Sequence, residues 1–279
     1  MKLSEIYQVA DKIAPRRLSD EYCRNYGAYD NSGILVDTGD DIKGVVFSLD
    51  LSVAAIEKAK EVGANLIITH HPAIYGKIAN VCQGNPLGKK LVECIKNGIS
   101  VLSMHLNLDA AKDGIDDSLA QGIRLALGGL ETTDTERMHP LSYKHLEGES
   151  VCGGYGSVYG VPKCSLQEFA EKIGEEFSTK RVLCYGNLER EINRAASFCG
   201  SGVDEGAIGF ALNNAGGKAD VIVSSDFKHH LITLALEEGL AVVILTHYAS
   251  ENYGFKKYYE KISRQIKLLC VYHTDEELL

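Results

Sequence analysis

Four apolar segments of this chain each end on a group of histidine and acidic side chains. They lie at Asn65–Pro72, Ile99–Asp109, Ala219–His230 and Ala241–Glu251. Each apolar run is typical of a strand that is buried on both faces in a parallel sheet. In open α/β sheets, ligands bind beyond the carboxyl ends of such strands. Because imidazole and carboxylate groups together suit divalent metals, the four strand ends predict a metal site.

Five of these side chains have the chemistry of a dinuclear metal centre. His70 and His71 are consecutive, so in an extended chain they point apart and each can serve a different ion. Asp109 offers a hard oxygen ligand, and the two carboxylate oxygens of Glu251 can bridge a pair of ions. His247 precedes Glu251 by four residues and shares its face if a helix has begun at that point. Such a set suits two ions ~3.5–4 Å apart, and Zn, Fe, Mn, Co and Ni all remain open.

Other polar residues at the strand ends could support these ligands. We expect His105 to orient them through hydrogen bonds. Asp226, His229 and His230 allow two interpretations. They form a second wall of the site that supplies acid–base groups, or Asp226 caps a helix while the two imidazoles are solvated. Six of the nine histidines follow predicted strands, and this joint pattern favours a site over isolated structural histidines.

Composition excludes several classes of protein. The chain has 279 residues, of which 45% are hydrophobic, so it can bury a core of more than one domain. Its formal charge is -9 without a long basic block, which disfavours binding to nucleic acid. No stretch approaches the ~18 apolar residues of a membrane helix, and the amino terminus lacks the apolar core of a signal peptide. Eight scattered cysteines without a C-x-x-C pair indicate reduced thiols. We therefore predict a cytoplasmic protein without membrane contact.

The elements that must position the site alternate between strands and helices. One example is the strand Gly44–Asp50, which is followed by a helix at Val53–Val62. Ser52 can cap the start of this helix, and Gly63 can end it. The pattern predicts two related α/β domains with mixed, largely parallel sheets flanked by helices. We assign residues 1–130 plus 240–279 to a metal-site domain and 131–239 to a second domain that completes the cleft. In this arrangement the last strand and helix rejoin the first sheet and bring His247 and Glu251 beside the other ligands.

The motifs together resemble the Nif-three-like, or dinuclear-metal-centre, family, some of whose members are named GTP cyclohydrolase I type 2 homologues. The matching segments are Tyr29–Gly33, Leu66–Pro72, His105–Asp109, Ser225–His230 and Thr246–Glu251. The resemblance implies a hexameric ring with a two-metal site in each subunit. It places metal ligands at the five residues above, with Glu251 bridging. It also places His105, Asp226 and His230 in the lining of the site. Tyr29 stands where the family usually has Trp, and Ser225 where Gly is usual.

The leading functional hypothesis is a metal-dependent hydrolase in which a metal-bridging water attacks a nucleotide-like small molecule. Asp226 or His230 would shuttle the proton. The alternative is a ring-shaped, non-catalytic scaffold or metal-delivery protein. Readily exchanged ions would favour delivery, and tightly held ions beside an open coordination position would favour catalysis.

Overall fold

The chain divides into two compact units. This computed structural model describes residues 1–129, 135–144 and 150–279. Unit 1 comprises Met1–Ala111 with Phe255–Asp275, and unit 2 comprises Lys112–Gly254 with Glu276–Leu279. Each unit contains a mixed β-sheet flanked by helices, so the predicted α/β class is confirmed.

Unit 1 is built on a five-stranded sheet of order β1-β4-β3-β2-β11. Only β1 is antiparallel to its neighbour. Every residue of β2, β3 and β4 is buried, as expected for parallel strands covered on both faces. The elements of unit 1 are α1 (Leu3–Ile13), α2 (Arg16–Tyr26), β1 (Gly33–Val36), β2 (Gly44–Ser48), α3 (Val53–Val62), β3 (Leu66–Thr69), α4 (Pro86–Lys96), β4 (Ser100–Ser103), α5 (Leu106–Asp109) and β11 (Leu269–Tyr272).

Unit 2 contains a six-stranded sheet of order β5-β6-β8-β9-β10-β7. Among the strands that the structure describes here, three pairs are antiparallel and two, β8-β9 and β9-β10, are parallel. We predict largely parallel sheets from the alternation of strands and helices. Strand β6 escapes that analysis, because it contains several glycines and lacks a continuous apolar run. The elements of unit 2 are α6 (Ile115–Ala126), β5 (Glu136–Lys144), β6 (Ser150–Ser165), α7 (Leu166–Glu176), β7 (Leu183–Tyr185), β8 (Glu191–Ser197), α8 (Glu205–Leu212), β9 (Val221–Ser224), α9 (His229–Glu237), β10 (Ala241–Ile244) and a 3-10 turn at Glu276–Leu278.

The bounds of the two units differ from the predicted division at 130–131 and 239–240. The first predicted boundary falls on residues outside the described ranges. Helix α6 contacts α7 and β6, and strand β10 pairs with β9 and β7, so both elements belong to unit 2. Helix α10 (His247–Ser263) contains the point where unit 2 gives way to unit 1, between Gly254 and Phe255.

The parallel strands of each sheet direct their carboxyl ends, and the residues that follow, to one edge of that sheet. In unit 1, β2 leads to Asp50, β3 to His70 and His71, and β4 to His105. In unit 2, β9 leads to Asp226 and β10 to His247. Within the described ranges, no helix is both long enough and apolar enough to cross a bilayer.

Candidate metal centre

His70 and His71 lie side by side at the end of β3. Their backbone amides both donate to the carbonyl oxygen of Leu49, at 3.1 and 3.0 Å, so the chain bends as the strand ends. The two ring centroids are therefore only 4.9 Å apart, with an angle of 48° between the planes. An extended chain would have pointed the rings in opposite directions, and the bend accounts for the difference.

Three imidazoles of unit 1 share one hydrogen-bonding arrangement. In each ring, Nδ1 lies at 2.8 Å from an oxygen that can only accept a hydrogen bond in its ordinary state. Nδ1 therefore carries the proton, and Nε2 presents its lone pair to a cation. The three pairs are His70 with the Met104 carbonyl, His71 with Asp50 and His105 with Asp30.

A set of ligand atoms forms where these rings meet. His70, His105 and Asp109 each offer one ligand atom, and the three atoms lie within 4.8 Å of one another. The Nε2 atom of His70 is 3.4 Å from Oδ1 of Asp109, and both side chains are buried. The rings of Phe255 and His70 are both buried, with their centroids 6.1 Å apart. His105, predicted to orient the ligands, thus lies among the ligand atoms themselves.

The carboxylate of Asp30 accepts a hydrogen bond from Nδ1 of His105 and holds its ring in place. Burial opposes ionisation of this carboxyl, but hydrogen bonds from His105, Ser19 and Ser32 outweigh burial and hold its pKa well below the usual range. Burial also acts to lower the pKa of His105, and its hydrogen bond to Asp30 and the nearby charge of Asp109 raise it on balance. The hydrogen bond from Nδ1 to the Asp30 carboxylate therefore fixes the orientation of the ring.

In unit 2, the first turn of α10 presents the second pair of predicted ligands. The helix begins at His247, so His247 and Glu251 share a face, with 3.0 Å between Nε2 and Oε2. The Nδ1 atom of His247 lies 2.7 Å from the exposed carboxylate of Asp226. This repeats the arrangement of unit 1 and directs Nε2 of His247 towards Glu251.

The structure separates the two interpretations of the segment after β9. Asp226 does not cap α9, because the N-cap residue is Lys228 and the helix starts at His229. Asp226 instead orients His247. His229 and His230 lie exposed on the first turn of α9.

A tight backbone turn at Gly200 lies against the side chains of His247 and Glu251. Gly200 has φ +56°, and a Cβ atom on it would overlap Oε1 of Glu251 and approach Nε2 of His247 to 3.3 Å. Its carbonyl accepts hydrogen bonds from the backbone amides of Ser225 and Asp226, each at 3.2 Å. The neighbouring thiol of Cys199 lies within 4.8 Å of a Glu251 oxygen. Glycine is therefore required at this position by both conformation and space.

Comparison with known proteins shows which family the chain belongs to. The family model for Duf34/NIF3 (NGG1p interacting factor 3) matches residues 1–276. The chain belongs to the Duf34/NIF3 family. A Methanocaldococcus jannaschii relative named GTP cyclohydrolase 1 type 2 homolog is 33% identical, covering 96% of this chain and 97% of the relative. A Clostridium perfringens relative with the same name is 28% identical, covering 95% and 93% of the two chains.

Solved structures show the same Duf34/NIF3 fold. Reduced HcgD from Methanocaldococcus jannaschii is 30% identical with a TM-score of 0.74, covering 98% of this chain and 97% of that chain. A Bacillus cereus protein related to NIF3 is similar in fold, with a TM-score of 0.78 at 19% identity, covering 97% and 96% of the two chains.

Sequence reasoning overlooked three contributors to the site of this Duf34/NIF3 protein. Asp50 also follows an apolar strand, and that signal could have identified it. Asp30 was hidden in a segment, Tyr29–Gly33, that resembles an ordinary polar turn. Gly200 gave only a weak glycine-turn signal, because its role depends on side chains of α10 that lie far along the chain.

Proposed function

We propose that this Duf34/NIF3 protein is a dinuclear-metal-dependent hydrolase acting on a nucleotide-like small molecule. In the proposal, two divalent ions per subunit would be held by His70, His71, Asp109, His247 and Glu251, and Glu251 would be the ligand that both ions share. Zn, Fe, Mn, Co and Ni are all compatible with this mixture of imidazole and carboxylate ligands.

One observation carries the proposal, namely the common arrangement of four imidazoles. Each has Nδ1 at 2.7–2.8 Å from a carbonyl or carboxylate oxygen, which is the usual support of a metal-binding histidine. The four rings are His70, His71, His105 and His247.

The donor atoms of each unit also fit a cation. Nε2 of His247 faces an oxygen of Glu251 at 3.0 Å, and Nε2 of His70 faces an oxygen of Asp109 at 3.4 Å. In the proposal Nδ1 carries the proton, so the lone pair of Nε2 faces a carboxylate oxygen in each pair and the two repel each other. A shared cation turns this repulsion into attraction, as a metal ligand set requires.

The proposal assigns separate tasks to the ions and to the side chains. When bound, divalent ions would lower the pKa of water to roughly 7 and polarise the substrate. Asp226 holds the His247 ring and, with its carboxylate exposed, exchanges a proton with solvent. His230, exposed at the start of α9, is the alternative proton carrier. His105 adds a third imidazole beside His70 and orients the ligand group.

The family membership supports the remaining parts of the proposal. The names of the relatives favour a nucleotide-like substrate. The resemblance described above favours a homohexamer, and the absence of a basic block disfavours nucleic acid as a partner. We also propose a cytoplasmic location, as the scattered free cysteines suggest.

Metal stoichiometry combined with turnover tests the proposal. Elemental analysis of purified protein should give two ions per chain, and Glu251→Gln should lower the content of both because it removes the bridge. His139→Gln, a substitution on β5, is the matched control and should retain both ions. The loaded protein should hydrolyse at least one member of a panel of nucleoside triphosphates, phosphate esters and phosphodiesters.

Two results would contradict the proposal in different ways. Full metal content without turnover of any compound would favour the non-catalytic scaffold or delivery protein. Loss of only one ion in Glu251→Gln would show that the carboxylate does not bridge.

A further inference from the structure

Two exposed tyrosine rings stand next to the histidines of unit 1. Tyr29 is 55% exposed and Tyr75 is 51% exposed. The edge of one ring of the Tyr75–His105 pair meets the face of the other, with centroids 6.1 Å apart and planes at 87°. Tyr75 therefore borders the candidate ligand group directly, and Tyr29 packs against Tyr75.

The two rings form a right-angled corner. Their centroids are 5.3 Å apart and their planes meet at 85°. Such an edge-to-face pair is a favourable aromatic arrangement, and it leaves the outer ring faces open. A flat molecule can lie on one face while its edge meets the second ring.

Hydrogen bonds hold this corner in place. The Tyr75 hydroxyl donates to the carbonyl oxygen of Tyr29 at 3.1 Å, and the Asn31 side chain donates to the carbonyl oxygen of Ile74 at 2.6 Å. The residue after Tyr29 is Asp30, which holds His105. The ring positions are thus tied to the same segments that orient the imidazoles, so little side-chain entropy is lost when a ligand binds.

The geometry points to a stacking platform, formed by Tyr29 and Tyr75, for a planar heteroaromatic ring of the size of a nucleobase. The inference rests on the proposed function, because it specifies which part of the substrate the site recognises. The Tyr75 hydroxyl is already engaged by a backbone carbonyl, so this residue offers its ring face. Stacking of a base on an aromatic side chain changes affinity by roughly tenfold or more.

Calorimetric titration of the protein as purified, with its metal content measured, tests the platform. The probes are guanosine 5′-monophosphate and ribose 5-phosphate, which carry the same phosphate but differ in the ring. The nucleotide should bind at least tenfold more tightly than the sugar phosphate. Tyr75→Ala and Tyr29→Ala should remove most of that difference while metal content stays the same. Tyr75→Phe and Tyr29→Phe should preserve it within about threefold.

Tyr185→Ala is the control, because Tyr185 is a partly exposed tyrosine on strand β7 of unit 2. It should bind both probes as the unmodified protein does. Equal affinity for the two probes, or binding of neither, would overturn the platform. The platform would also be overturned if Tyr75→Ala and Tyr29→Ala bound both probes with unchanged affinity. The same holds if these variants lost metal or changed their oligomeric mass. Loss of metal from the unmodified protein or lack of turnover would instead contradict the proposed function, so the two failures are distinguishable.

Discussion

At the scale of single residues, Gly200 gives the sharpest test of the unit 2 ligands. We predict that Gly200→Ala lowers metal affinity at least tenfold. The added methyl would occupy the position of a Glu251 oxygen, and the backbone at φ +56° disfavours alanine. Elemental analysis after dialysis against a defined free-metal concentration measures the change.

Gly209→Ala provides the control for that substitution. Gly209 lies in α8, and a Cβ atom on it would have no neighbour within 4 Å. Its replacement should leave metal affinity unchanged and raise helix stability by roughly 0.5–1 kcal/mol. Equal metal affinity of the two variants would show that Glu251 does not need the space above Gly200.

Asp116 makes the stability of unit 2 depend on pH. Its side chain is fully buried, and burial raises the pKa to about 6, although Arg137 at 2.9 Å and two backbone amides favour the charged form. A carboxyl whose folded pKa is raised stabilises the fold below its unfolded pKa of about 4. That stabilisation is lost as pH rises to about 6.

We therefore expect the free energy of unfolding to fall by up to about 3 kcal/mol between pH 4 and pH 6 from this group alone. Urea unfolding at several pH values measures it, with Asp116→Asn as the comparison because the amide does not titrate. If the curves of the two proteins run parallel across this range, Asp116 does not carry the effect.

At the scale of elements, a pair of serines joins the end of β9 to the first turn of α10. The hydroxyls of Ser225 and Ser250 are 2.8 Å apart, and Ser250 also donates to the carbonyl oxygen of His247 at 2.9 Å. Ser250 lies directly before Glu251, so this link fixes the turn that carries both predicted ligands.

We predict that Ser225→Ala costs about 1–2 kcal/mol of stability, because it leaves a buried hydroxyl with one partner fewer. The same variant should weaken metal binding several-fold, since the helix turn loses its attachment. Thermal unfolding and metal titration check the two effects. Ser4→Ala, at an exposed position of α1, should change neither. A loss of stability without weaker metal binding would limit Ser225 to a structural role.

The elements also show which features of the fold follow from local sequence. Helix α3 spans Val53–Val62 as predicted, because its Ser52 cap accepts from the amide of Ala55 at 3.0 Å and Gly63 adopts the left-handed conformation that ends it. Strand β7 illustrates the opposite case. Its place at the sheet edge depends on antiparallel pairing with β10, and such distant pairing leaves no signal in either segment.

The same distinction applies to the candidate site. The strand ends that carry His70 and His247 could be predicted, since an apolar run followed by polar residues is a local pattern. The oxygen that holds each ring could not, because Asp30 and His105 are 75 positions apart in sequence. Only the three-dimensional structure brings such partners together.

At the scale of the whole molecule, the proposed ligands come from both units, so bound metal should couple their unfolding. We predict a single calorimetric transition for metal-loaded protein and two transitions after treatment with a chelator.

At a free-metal concentration one hundred times Kd, metal binding raises the free energy of unfolding by about 2.7 kcal/mol. For a single transition of the whole chain that corresponds to a rise of roughly 5 °C in Tm. Glu251→Gln in the presence of metal should resemble the chelated protein, because the proposed bridge is absent. Two independent transitions in the loaded protein would mean that each unit binds its own ion, and the dinuclear centre would then have to be abandoned.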